Sequence, residues 1–241
     1  MTPLSLTILL LAGFTAATVS GAAGFGGALL LLPIATWVVG PKAAVPLLTL
    51  AQLAGNLSRA AFGWREIRWR PVLLFCAGAV PAALVGSLLF VQLPGAAVRR
   101  AVGAFLLLLV VLRRTKLGQR EVPKGTLAPG GAVVGFLSAV VGSAGTLGAL
   151  LFLGLRLPAS SYVASEAVTA VAMHLTKSGV YSRFALLTGD VLIIGAALSA
   201  AMVAGSWVGK RLIETLPMEK FELVVEALLV ASALALLIQG S

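Results

Sequence analysis

The sequence predicts an all-α integral membrane protein of two inverted repeats, each a broken, re-entrant helical hairpin followed by three transmembrane helices. Three observations predict it. The 241 residues are 59% hydrophobic and 11% charged, whereas a soluble domain is about half apolar and about a quarter charged. Apolar runs long enough to cross a bilayer recur along the whole length. The chain also matches itself. A shift of 118 residues lays Ser20-Gly-Ala-Ala-Gly24-Phe-Gly-Gly27 on Ser138-Ala-Val-Val-Gly142-Ser-Ala-Gly145, and Gln52, Asn56 and Arg59 on Ala170, His174 and Lys177. Further on the shift becomes 123, with Val85-Gly86 on Val208-Gly209 and Leu93-Pro94 on Leu216-Pro217. The difference fits an insertion near residues 64–70.

The apolar segments fall at 4–39, 43–62, 71–91 and 98–112, and again at 127–155, 159–180, 191–212 and 221–238. Repeat 1 is therefore expected over 1–115, a cytoplasmic linker over 116–126 and repeat 2 over 127–241, together forming one transport domain. The first segment of each repeat is too long for one straight span, and glycines loosen its middle. The N-terminus lacks the basic start of a signal peptide, so its apolar stretch is expected to belong to the mature protein.

Each long segment is either one span or a hairpin that enters and leaves on the same side. Charge separates the two. With eight simple spans, nine of the Lys and Arg residues at or beyond the span ends fall on the N-terminal side and seven on the other. With two hairpins, four fall on the N-terminal side (Lys42, Arg99, Arg100, Arg183) and twelve on the other. The second division has the bias of a cytoplasmic face. Both termini are then outside, and the odd number of crossings per repeat inverts the second copy.

The net charge of +10 does not argue for nucleic acid. The basic residues sit at the ends of apolar segments, with few aromatics between them to stack on bases. The one cysteine, Cys76, lies in an apolar run and reads as a small buried residue. One histidine, one cysteine and two intramembrane glutamates (Glu166, Glu226) are too few ligands for metal transport. No cofactor is expected.

Two groups of residues carry chemistry. The first is the hairpin tips, Gly24, Gly26 and Gly27 and, in the second copy, Gly142, Ser143, Gly145 and Thr146. A half-helix restarting there presents unpaired N–H groups and the positive end of its dipole, which favour an anion. Close helix packing is the competing reason for such glycines. The second group is a pair of polar stripes. Gln52, Asn56 and Arg59 lie at i, i+4 and i+7 on one helix face. His174 and Lys177 repeat that spacing, with Glu166 two turns earlier. Ionisable groups within spans usually mark an internal path, and matched positive side chains argue for an anionic substrate. Alternatively Arg59 and Lys177 snorkel to headgroups. His174 and Glu166 are candidates for proton coupling, or else hydrogen-bonded interior residues.

The Gly24-Phe-Gly-Gly27 motif after a long apolar start resembles the sulfite exporter TauE/SafE family. So do its counterpart at Gly142–Gly145, Pro33 beyond the first tip and the duplicated layout. The second copy departs from the glycine run, with Ala144 where the first has Gly26. The resemblance implies a multi-pass protein of the bacterial inner membrane, not an enzyme. It would export sulfite or a related sulfur oxyanion or organosulfonate by alternating access, with a proton gradient as a candidate driving force. Two other classes stay open from the residues alone, a membrane enzyme acting on a lipid phosphate and an anion channel. Gly142-Ser-Ala-Gly145 with His174 is not the Gly-x-Ser-Gly arrangement of rhomboid proteases.

Overall fold

The computed structural model describes residues 2–23, 27–113, 122–142 and 144–212. Within them all regular structure is helical: α1 (Pro3–Ala23), α2 (Gly27–Val39), α3 (Pro41–Phe62), α4 (Trp69–Gln92), α5 (Gly95–Arg113), α6 (Leu127–Val141), α7 (Gly145–Leu153), α8 (Ala159–Arg183) and α9 (Gly189–Leu212). Short 3₁₀ turns lie at Trp64–Glu66 and Lys124–Thr126. The first occupies the region where the repeat shift changes. Tips Gly24, Gly26 and Ser143, most of the 113–124 loop and the last apolar run with Glu226 lie outside the described residues.

Both long segments turn back on themselves. Gly27 packs on the backbone of Ala16, and Gly130 faces the Leu151 side chain. At about 1.5 Å rise per residue, a continuous helix would hold residues 16 and 27 about 16 Å apart, and 130 and 151 about 31 Å apart. The second break is set by Gly142, whose φ of 89° is the left-handed conformation that ends a helix. The arms are unequal. α1 and α2 have 21 and 13 residues, and α6 and α7 have 15 and 9.

Three described helices are long and apolar enough to cross a membrane, over Pro3–Gly21, Trp69–Gln92 and Gly189–Gly209. α3 and α8 have 22 and 25 residues, but they carry the polar stripes. α5 carries Arg99, Arg100 and Arg113.

α4 turns the soluble-protein pattern inside out. Its buried face holds Ala79, Ala83 and Gly86 beside Phe75 and Phe90, while Leu73, Leu74, Leu84, Val85, Leu88 and Leu89 are exposed. Large apolar side chains outside and small ones inside suit a helix surrounded by lipid, where close backbone approach supplies the packing. The tightest contacts join opposite halves of the chain. α4 packs on α6 and α1 packs on α9. A Cβ added at Gly131 or Gly135 would collide with the carbonyls of Phe75 or Ala79, and one at Gly205 with that of Phe14. α3 packs on both α8 and α9, and α8 also packs on α4.

Candidate functional site

The end of α1, the start of α7 and the polar faces of α3 and α8 converge on a cavity of about 40 Å³. A buried water needs about 10–15 Å³ of such space, so the cavity suits a few waters or one anion of a few heavy atoms. Gln52, Asn56, Arg59, Gly145, Thr146, Glu166 and His174 line it. These residues come from three helices separated in sequence, and the fold brings them together. Gly27 is buried against α1 and Gly142 against Val45, and neither lines the cavity. Lys177 does not line it either.

The α3 stripe is wired within itself. The Asn56 side-chain amide donates to the Gln52 carbonyl at 2.8 Å, and its Oδ1 accepts from Arg59 Nη2. Asn56 thus aims the guanidinium, and one of its two amide N–H groups is used on Gln52. Arg59 Nη1 reaches the Ser20 carbonyl at 3.5 Å, and Nη2 lies 3.7 Å from Glu166 Oε2. Gln52 is 6% exposed, and its Nε2 has no hydrogen-bond partner. The same holds for Nδ1 of the buried His174. Glu166 Oε2 likewise makes no hydrogen bond. Buried polar atoms are normally satisfied, so three orphans on one cavity wall point to an occupant.

Lys177 does a matching task in the other half. Its ammonium is fully buried and donates to Ser138 Oγ at 3.0 Å, to the Ser138 carbonyl at 3.3 Å and to the Gly142 carbonyl at 3.5 Å. Arg59 and Lys177 each reach back 39 residues to the end of the preceding broken helix. There a cation meets carbonyls left unpaired and the negative end of the dipole. The Arg59 side chain is 11% exposed, so both cations turn inward and neither serves as a headgroup anchor.

With these carbonyl ends covered, the cavity is dominated by donors. The Ala144 carbonyl accepts from Leu147 at 3.0 Å and Gly148 at 3.3 Å. The N–H groups of Gly145 and Thr146 therefore precede the first intrahelical bonds of α7, and Thr146 adds its hydroxyl to the wall. Ser20, Ser138, Met202 and Ser206 also line the cavity and were not among the candidates. Ser20 and Ser138 occupy matching places in the self-alignment, so a signal existed. Met202 and Ser206 lie within the apolar stretch of α9 and carry no such signal. No group of three His, Cys, Asp or Glu side chains able to hold a metal occurs among the described residues.

A polar chamber between two hairpins, inside a bundle with an apolar exterior, defines an integral membrane protein with an internal polar cavity. The sequence matches the sulfite exporter TauE/SafE family over residues 9–236, and the chain belongs to that family. It is a membrane protein of a transporter family, and the resemblance carried by the glycine motifs extends over nearly the whole chain. Comparison with curated proteins and with solved structures gives no match.

Proposed function

We propose that this protein is a secondary transporter that exports sulfite or a related small sulfur oxyanion or organosulfonate by alternating access. The observation that carries the reading is the donor-rich cavity. The α7 N-terminus, Arg59, the unpartnered Gln52 amide and His174 surround a space of about 40 Å³. A helix N-terminus beside a guanidinium favours a small anion. In this reading Gly24, Gly26, Gly27, Gly142 and Ser143 belong to the tips, and the backbone donors that face the cavity are those of Gly145 and Thr146. Lys177 acts on the site through the tip it holds, and Glu166 or His174 carries the coupling proton.

The reading includes two inverted repeats, 1–115 and 127–241, joined by a cytoplasmic linker, with both termini outside the inner membrane. Helix pairing supports it, because α1 with α9 and α4 with α6 exchange when the halves are exchanged. The four-charge end is coherent too. Lys42 Nζ donates to the Phe90 carbonyl at 2.8 Å, and the Phe90 ring meets that of Tyr181, near the end of α8, at a tilt. At the opposite end, Ser165 Oγ accepts from the Arg68 N–H at 2.8 Å, and Ser161 Oγ donates to Glu66 at 3.4 Å. The repeat shift relates Ser161 and Ser165 to Ala43 and Leu47, which instead line a cleft of about 400 Å³ between α3 and α9. One end stitched and its counterpart parted is the asymmetry expected of one state in an alternating cycle.

Sulfite flux into proteoliposomes tests the function. Saturable uptake above empty liposomes, without competition from sulfate, is expected, and its response to an imposed pH gradient reports coupling. Flux equal to the empty control removes sulfite from the reading.

A further inference from the structure

The cavity that attracts an anion already contains one. Glu166 Oε1 lies 3.7 Å from the position a Cβ would take on Gly145 and 3.9 Å from that on Gly148. The carboxylate therefore lies against the first turn of α7, within van der Waals reach of both glycine positions. Its other oxygen faces Arg59 at 3.7 Å and makes no hydrogen bond. The residue is 3% exposed. A carboxylate buried beside a guanidinium and a helix N-terminus, without full hydrogen bonding from either, is held by their field rather than locked by geometry. The neighbouring Gln52 amide is also unpartnered, so the wall has donor capacity that Glu166 does not consume.

We propose that Glu166 is a built-in competitor of the transported anion: it rests between Arg59 and the α7 N-terminus, and the anion binds there only by displacing it. This rests on the anion-transport reading and deepens it. Such a competitor keeps the site electrically balanced when empty. It also weakens ground-state binding of the anion, which a carrier needs in order to release its cargo. Glu166 lies on the face of α8 opposite the α3 stripe, so displacing it loosens the Arg59–Glu166 contact between α3 and α8. Filling of the site is thereby linked to the helix pair at its centre.

The test is calorimetric titration of sulfite into purified protein at one fixed pH. Glu166→Gln keeps size and polarity and removes the competing charge. It is expected to bind sulfite at least about tenfold more tightly than the wild type, equivalent to about 1.4 kcal/mol. Net export in proteoliposomes is expected to slow, because release is impaired. Glu166→Asp keeps the charge but draws it back by one methylene, and is expected to bind about threefold more tightly, near 0.65 kcal/mol. The aspartate variant decides the matter if the glutamine variant does not fold. A role for Glu166 confined to structure predicts weaker binding in both variants. Binding by the variants that is equal to or weaker than a measurable wild-type affinity overturns the Glu166 assignment and leaves the anion site standing. Sulfite binding by none of the three proteins overturns both.

Discussion

Arg59→Ala is expected to weaken anion binding about 10- to 150-fold while leaving the protein folded. The guanidinium is the one cation on the cavity wall among the described residues, and a charge-assisted hydrogen bond contributes about 1.5–3 kcal/mol. Asn56 Oδ1, the Ser20 carbonyl and Glu166 are among the partners that Arg59 leaves behind. All three line a cavity that can hold water, so their loss is softened. Lys177→Ala should behave differently. It strips a fully buried ammonium from Ser138 and Gly142, where unsatisfied groups cost about 1–3 kcal/mol each. The expected result is loss of folded protein before any change in affinity can be read. Sulfite titration of the first variant and size-exclusion chromatography with thermal melting of the second separate the two roles. Unchanged affinity in Arg59→Ala would place the guanidinium outside the pathway.

The second large effect is expected at the α4–α6 contact. Gly135→Leu would drive a branched side chain into the Ala79 carbonyl, and overpacking of this kind costs about 1–3 kcal/mol or more. Because the obstacle is backbone, no rotamer relieves it, and the variant should yield no monodisperse protein. Gly179 in α8 is the control. A Cβ there meets nothing within 4 Å, so Gly179→Ala should gain up to about 1 kcal/mol from helix propensity. Thermal melting of both variants in detergent checks the pair. A stable Gly135→Leu protein would mean that α4 and α6 do not touch as described.

Much of this arrangement was legible in the residues. The breaks near Gly24 and Gly142 and the stripes on α3 and α8 are local features, and local features survive in a sequence. Gln52, Arg59, Glu166, His174 and Thr146, which charge, polarity and helical spacing pick out in the sequence, all line one cavity. What stayed hidden is what depends on distant partners. Self-alignment says which segments correspond, not which segments touch, so the pairing of α1 with α9 and α4 with α6 could not be read. For the same reason Ser206 and Met202 went unnoticed on α9. Lys177 showed its charge and spacing but not its direction. Whether an ammonium faces a cavity or a helix end depends on where the Ser138 and Gly142 carbonyls lie, which folding alone decides. The unequal hairpin arms were equally invisible, since residues on either side of a glycine break look alike whichever arm they extend.

The pairing of α1 with α9 has a consequence for the order of biosynthesis. Chains are made and fold from the N-terminus. Gly13 and Gly21 of α1 fit against Leu198 and Ser206 of α9, which leave the ribosome only after most of the protein has been inserted. The α4–α6 contact, by contrast, needs only the chain up to α6. The second hairpin therefore docks early onto a helix already in place, while the first waits in the bilayer with its small-residue face unmatched. Among the described helices the bundle matures from its middle outward, and α9 is the piece that covers α1.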